Sequence, residues 1–167
     1  MKRIIDVISN PKHRLLLSLA YGCGFRVSEI VNLRRDDIDA DRHSIHIKHG
    51  KWEKDRIVIL PLSVQSLLET HKNTTFSSPY IFYSNQWWKI TTRTAQAIFS
   101  QSCAKAWVTK KVTFHSLRHS FATQLLKKWA DIRSVQALLG HASITTTQIY
   151  THVDDKHLSD VHKMLEG

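Results

Sequence analysis

Cysteine, proline and glycine are all scarce in this chain: two, three and five in 167 residues. Cys23 and Cys103 stand alone, far apart, in no spacing that makes a disulfide framework or a thiolate metal site, so two packed, reduced thiols are expected. So few glycines and prolines exclude a collagen-like or low-complexity chain, and 42% hydrophobic with 23% charged residues is an ordinary globular composition. Long apolar runs are missing too. A membrane-spanning helix needs roughly 18–20 apolar residues, the run Leu15-Leu16-Leu17-Ser18-Leu19-Ala20-Tyr21 falls far short, and the N-terminus shows no signal-peptide core. That run reads as a buried helix, and the expected location is the cytoplasm. Acidic residues are the last shortage: 14 against 24 Lys and Arg give a net charge of +10 and a pI near 9.8. A basic surplus on so small a protein points to a polyanion, because each phosphate neutralised releases condensed counterions.

The length suits one domain with a proper core. Ile4–Ile8 reads as a short helix stopped at Asn10-Pro11, and Pro11 opens a second helix through Tyr21, closed by Gly22 and Gly24. Ser28 followed by Glu29 is expected to cap a further turn carrying Ile30 and Leu33. Ser44–Lys48 alternates with period two and Arg56–Leu60 is rich in β-branched residues; the polar stretch between them makes a β-hairpin with a charged tip. Pro61 ends the strand and Ser63 starts a helix to about His71. From Thr92 the pattern is helical: Thr92–Trp107, Leu117–Trp129, Ile132–Leu139 and Ile144–Thr151, then an amphipathic tail with Leu158, Val161, Met164 and Leu165. The expected fold is mainly α with a small antiparallel β-sheet on one side (α+β).

Six side chains form an inventory suited to one chemistry: Arg26, Lys51, His115, Arg118, His141 and Tyr150. Phosphoryl transfer asks a protein for positioning and charge stabilisation. Arginine donates two parallel hydrogen bonds to a phosphate and stays charged. His115 precedes Arg118 by three, so both can point the same way from a helix start. Lys51, at a hairpin tip, can lose a proton and serve as general acid; a phenol such as Tyr150 is a nucleophile once its proton is removed. Tyr21, Tyr80 and Tyr83 lie in apolar runs and are core candidates. His115 and His119 have i, i+4 spacing, but without a His-Glu-x-x-His string or a nearby carboxylate they are not read as a zinc site. His119 is read as structural, hydrogen-bonded beneath the site. Trp87 and Trp88 could cover the core or stack on DNA; Lys110-Lys111 and Lys127-Lys128 are read as solvated.

Gly24-Phe25-Arg26-Val27-Ser28-Glu29-Ile30, Gly50-Lys51, His115-Ser116-Leu117-Arg118-His119-Ser120-Phe121-Ala122-Thr123, and Leu138-Leu139-Gly140-His141 with Tyr150 resemble the tyrosine recombinases, the phage integrase family. The likeness runs from Asn10 to the end and is strongest to the catalytic domains of Xer-type and phage or integron-type integrases. It implies that fold, a partner in double-stranded DNA, and strand breakage and rejoining through a 3′-phosphotyrosine with no metal, ATP or small-molecule cofactor. It also implies roles: Arg26, Arg118 and His141 on the scissile phosphate, His115 in proton transfer at the tyrosine, Lys51 protonating the leaving 5′-hydroxyl, Tyr150 as nucleophile, and Glu29 orienting Arg26. Four subunits would assemble on two duplexes, residues 152–167 docking onto a neighbour.

The chain departs from that pattern in three places. Trp52 stands where the family has a second glycine after the lysine, which strains the tip if φ is positive there. Pro61 arrives about two residues late, which a longer strand absorbs without changing the alternation. Most relatives carry an N-terminal DNA-clamping domain of roughly a hundred residues; residues 1–167 are expected to be the catalytic domain alone, excised or naturally short. Two rivals stay open: a DNA-binding regulator of the same fold that does not cut, and a type IB topoisomerase-like relaxing activity.

Overall fold

A helix that is apolar nearly all round has to lie inside, and α2 (Pro11–Gly22) does: Leu15, Leu16, Leu17, Leu19 and Ala20 are each 0% exposed. Its start is set by Pro11 at the first helical position and by the Asn10 side chain, which accepts from the His13 N–H at 3.2 Å. Burial of each such leucine contributes roughly 2 kcal/mol, so packing, not the propensity of a twelve-residue helix, holds α2 in place. The structure is a computed structural model that describes residues 1–48, 55–72 and 78–127, together with the helical positions Val135 and Leu139. Around α2 pack α1 (Lys2–Asp6), α3 (Val27–Asn32), α4 (Leu62–Lys72), α5 (Thr92–Lys105) and α6 (His115–Lys127).

The sheet is antiparallel, in the order β1 (Ile38–Asp39), β2 (Ser44–Ile47), β3 (Arg56–Ile59). Ile45 pairs with Val58 and Ile47 with Arg56. As the alternation predicts, Ile45 and Ile47 are buried with His46 exposed between them, and on β3 Arg56 and Val58 are buried while Ile57 is exposed. The two-residue β1, fed by a 3₁₀ turn at Arg35–Asp37, is too short to leave a period in the sequence. The hairpin tip, with Lys51 and Trp52, lies outside the described residues.

Several expected boundaries shift. Ser28 does not cap α3. The cap position is Arg26, and Glu29 reaches back to accept from its backbone N–H at 2.7 Å, so Ser28 sits inside the helix and exposed. The α5 helix stops before Trp107 because the chain turns left-handed there: Trp107 has φ +54°, its N–H bonds Ala104 O, and Val108 N–H bonds Cys103 O. That pairing is a Schellman stop with tryptophan where glycine is usual. The helices expected at Ile132–Leu139 and Ile144–Thr151 and the terminal amphipathic stretch lie outside the described residues. Val135 and Leu139 excepted, that is: both are buried with Phe121 and Leu125 in a small cluster. Cys23 and Cys103 are buried free thiols, and burial raises both pKa values. Among the described residues no helix is long and apolar enough to cross a membrane.

Candidate active site

The site is organised by the corner between α2 and α3. Gly24 has φ +66°, and a Cβ there would stand 2.6 Å from Cδ1 of Phe121 on α6, so conformation and space both demand glycine. Phe25 then buries its ring, 1% exposed, and the next residue, Arg26, is the N-cap of α3. The tight approach of α6 to Gly24 thus fixes where the Arg26 backbone sits.

Glu29, one turn into α3, holds the arginine side chain as well as its N–H. Arg26 Nη1 lies 3.1 Å from Glu29 Oε1, with the Glu29 side chain 5% exposed and that of Arg26 26% exposed. On its other side Glu29 receives a fork from β3: Arg56 Nη1 donates to Oε1 and Nη2 to Oε2, both at 2.8 Å. Burial, the largest influence on Glu29, pushes its carboxyl pKa up. The Arg56 hydrogen bonds and charge, the Arg26 N–H and the charge of Arg118 together outweigh it and hold the group below its ordinary range. Glu29 is therefore an anion inside a cationic corner.

Arg118, 2% exposed, comes to the same corner from α6. Its Nη1 donates to Gly24 O at 2.6 Å and its Nη2 to Leu139 O. A guanidinium carries five N–H donors, so a phosphate contact has to be made beside these bonds or in exchange for one. His115 opens α6 on its exposed side. Three residues along a helix turn the direction by about 60°, and the edge of the buried face falls between His115 and Arg118; neighbours on the helix, they occupy different environments.

His119 is not beneath the site: it is exposed, one turn from His115 on the same outward side, while Leu117, Arg118, Phe121 and Leu125 form the inward face. Arg56 joins the site although it is not among the six side chains the sequence singles out. The signal was present, because Val58 inward puts Arg56 inward too, and a cation at a buried strand position requires a partner. Of the tyrosines, Tyr83 is buried, and Tyr21 and Tyr80 are half-buried. Tyr21 accepts from Gln124 Nε2 at 2.6 Å, tying α2 to α6. Trp87 stacks on Tyr83 with ring centres 5.5 Å apart, and Trp88 is 71% exposed. Lys110 and Lys111 are exposed, as expected for solvated charges. Among the described residues no group of three or more His, Cys, Asp or Glu side chains is placed to hold a metal. Lys51, His141 and Tyr150 lie outside the described residues.

The sequence matches the family model described as Phage integrase family over residues 1–157. The chain belongs to the phage integrase family. Among curated members, it is 43% identical to tyrosine recombinase XerA of Pyrococcus furiosus, over 96% of this chain and 57% of that protein. It therefore spans little more than half the length of that relative. Among solved structures of the family, a XerA recombinase superposes with a TM-score of 0.80 at 36% identity, covering 99% of this chain and 62% of the other. The XerH site-specific recombinase in a pre-cleavage complex with its difH substrate gives a TM-score of 0.73 at 27% identity, over 90% of this chain and 48% of that one. The mainly helical fold with its small antiparallel sheet is that of the tyrosine recombinase catalytic domain.

Proposed function

We propose that this chain is the catalytic domain of a site-specific recombinase acting on double-stranded DNA. The observation that carries the reading is the convergence of Arg26 and Arg118, from the two ends of the described chain, on the Gly24–Glu29 corner. Family membership, likeness to XerA, and the DNA held by the XerH neighbour support it. In this reading Arg26 and Arg118, with His141, neutralise the non-bridging oxygens of one phosphodiester. The Tyr150 oxygen attacks phosphorus, its proton passing towards His115, and a 3′-phosphotyrosine forms as the bond to the 5′-oxygen breaks. Lys51 gives that oxygen its proton. A 5′-hydroxyl from the partner strand then reverses the step, so the bond energy is retained and no cofactor is consumed. Four subunits act on two duplexes in the cytoplasm, residues 152–167 of one docking on the next.

A duplex nicked close to the cleavage point lets the short product diffuse away and traps the covalent species. The chain is expected to give a gel-stable protein–DNA adduct, and Tyr150→Phe none. No adduct from the intact chain, or equal yield from the variant, rejects the proposal. The burial of Arg118 and its two carbonyl bonds favour one other reading, a DNA-binding regulator that does not cut; ordinary duplex affinity without adduct on any substrate would establish it.

A further inference from the structure

Arg56 is an inward-facing charge on a strand that could have carried an apolar residue in its place. It is 3% exposed, paired in register with Ile47, and its guanidinium lies 6.0 Å from the ring centre of Phe25. Its two terminal nitrogens grip both oxygens of Glu29 at 2.8 Å. One of those oxygens also meets Arg26 Nη1 at 3.1 Å, and the other accepts the Arg26 backbone N–H at 2.7 Å. A carboxylate on a short helix could turn about its side-chain bonds. A bidentate fork fixes its plane, and with it the direction in which it presents each oxygen to Arg26. Buried ion pairs contribute little net stability, and apolar replacements are often as stable. Fold stability alone is therefore a weak reason for this pair.

We infer that Arg56 is a positioning residue for phosphoryl transfer, acting through Glu29 to aim the Arg26 guanidinium. The inference rests on the function proposed above. It adds that the β-hairpin supplies, besides its tip, a buried strut from β3 to the first arginine. Lysine cannot replace it, because an ammonium binds one carboxylate oxygen as a point charge and leaves the plane unfixed. Misplacing a catalytic group by about 1 Å can slow a reaction by roughly 100-fold.

The test compares single-turnover cleavage of the nicked duplex, at saturating DNA, for the intact chain, Arg56→Lys, Arg56→Gln, Glu29→Gln and the Arg56→Lys/Glu29→Gln pair. Ile98→Ala, a buried position on α5, serves as a control of reduced stability. Arg56→Lys is expected to cleave about 100-fold more slowly with DNA affinity changed less than about threefold. The double variant should be no slower than Glu29→Gln, because both changes break the same path. Ile98→Ala, once folded, should cleave at the normal rate. A second readout needs no chemistry: the ¹⁵N–¹H signal of Arg26 Nε, assigned with Arg26→Lys, should shift or broaden in both Arg56 variants. Normal cleavage by Arg56→Lys, losses that multiply in the double variant, or an unchanged Arg26 signal would overturn the inference. Should the intact chain form no adduct, the proposed function falls, and the Arg26 signal still decides whether Arg56 positions it.

Discussion

Arg118 donates from Nη1 to the carbonyl of Gly24 at 2.6 Å, across 94 positions of sequence, and Gly24 lies two residues before Arg26. The second arginine of the family pattern thus holds the peptide that carries the first. This bond makes the spacing between the two guanidinium groups a property of the α2–α3 corner and α6 together. Arg118→Lys keeps the charge but cannot reach both the Gly24 and Leu139 carbonyls. One lost bond from a charged donor is worth roughly 1.5–3 kcal/mol, so the variant should unfold at lower denaturant by about 2 kcal/mol. An unchanged midpoint in urea would contradict this role.

The corner itself should be intolerant of a methyl group at one glycine and tolerant at its neighbour. Gly24→Ala meets both a positive φ and the Phe121 ring, and is expected to lower unfolding free energy by about 2–4 kcal/mol. Gly22 ends α2 with ordinary backbone, and an added Cβ would sit 3.4 Å from Val64 Cγ2. Gly22→Ala should change stability by less than about 1 kcal/mol. Equal losses at the two positions, read from denaturant curves, would contradict the corner as described.

Glu29 should make the fold sensitive to acid. Its folded pKa lies below the usual value of 4.5, so its contribution is present above that pH and is lost as pH falls through the folded value. Glu29→Gln should accordingly be less stable than the parent at pH 7, with the two stability curves converging below about pH 4.5 as the parent carboxylate takes up its proton. A constant gap between the curves from pH 7 to pH 3 would show that the carboxylate does not titrate in this way.

Trp107 offers a stabilising change. It is 84% exposed, occupies the left-handed position of the α5 stop, and so pays a backbone penalty with little burial in return. Trp107→Gly should raise unfolding free energy by about 1 kcal/mol. A lower thermal midpoint would mean that the indole makes a contact worth more than the strain it brings.

The elements legible in the sequence are those with a strong period or a strong stop. Leu15–Ala20 announces α2, Ser44–Ile47 and Arg56–Ile59 announce the hairpin, and Thr91, whose side chain caps α5 from Thr94 N–H at 3.1 Å, sits where the helical pattern begins. The start of α3 is not legible, because Ser28 is a good cap by type, whereas Arg26 takes the cap position with Glu29 reaching back to it, a carboxylate that Arg56 grips from another element. The outward place of His119 is not legible, because i, i+4 spacing with His115 gives a shared face without saying whether that face looks in or out. Arg26 and Arg118 were found by motif, but the carbonyl partners of Arg118 depend on how α6 lies against Gly24, which no local pattern encodes.

The chemical centre of the account is a bond between one tyrosine and one end of a broken strand. Digestion of the trapped adduct with protease and nuclease, followed by mass spectrometry, locates that bond directly. The account predicts a single nucleotide-bearing peptide, containing Tyr150, joined through a 3′-phosphate, and lost when Arg26 or Arg118 is replaced by alanine. A nucleotide on any other residue, a 5′-phosphate linkage, or full yield without either arginine would contradict it.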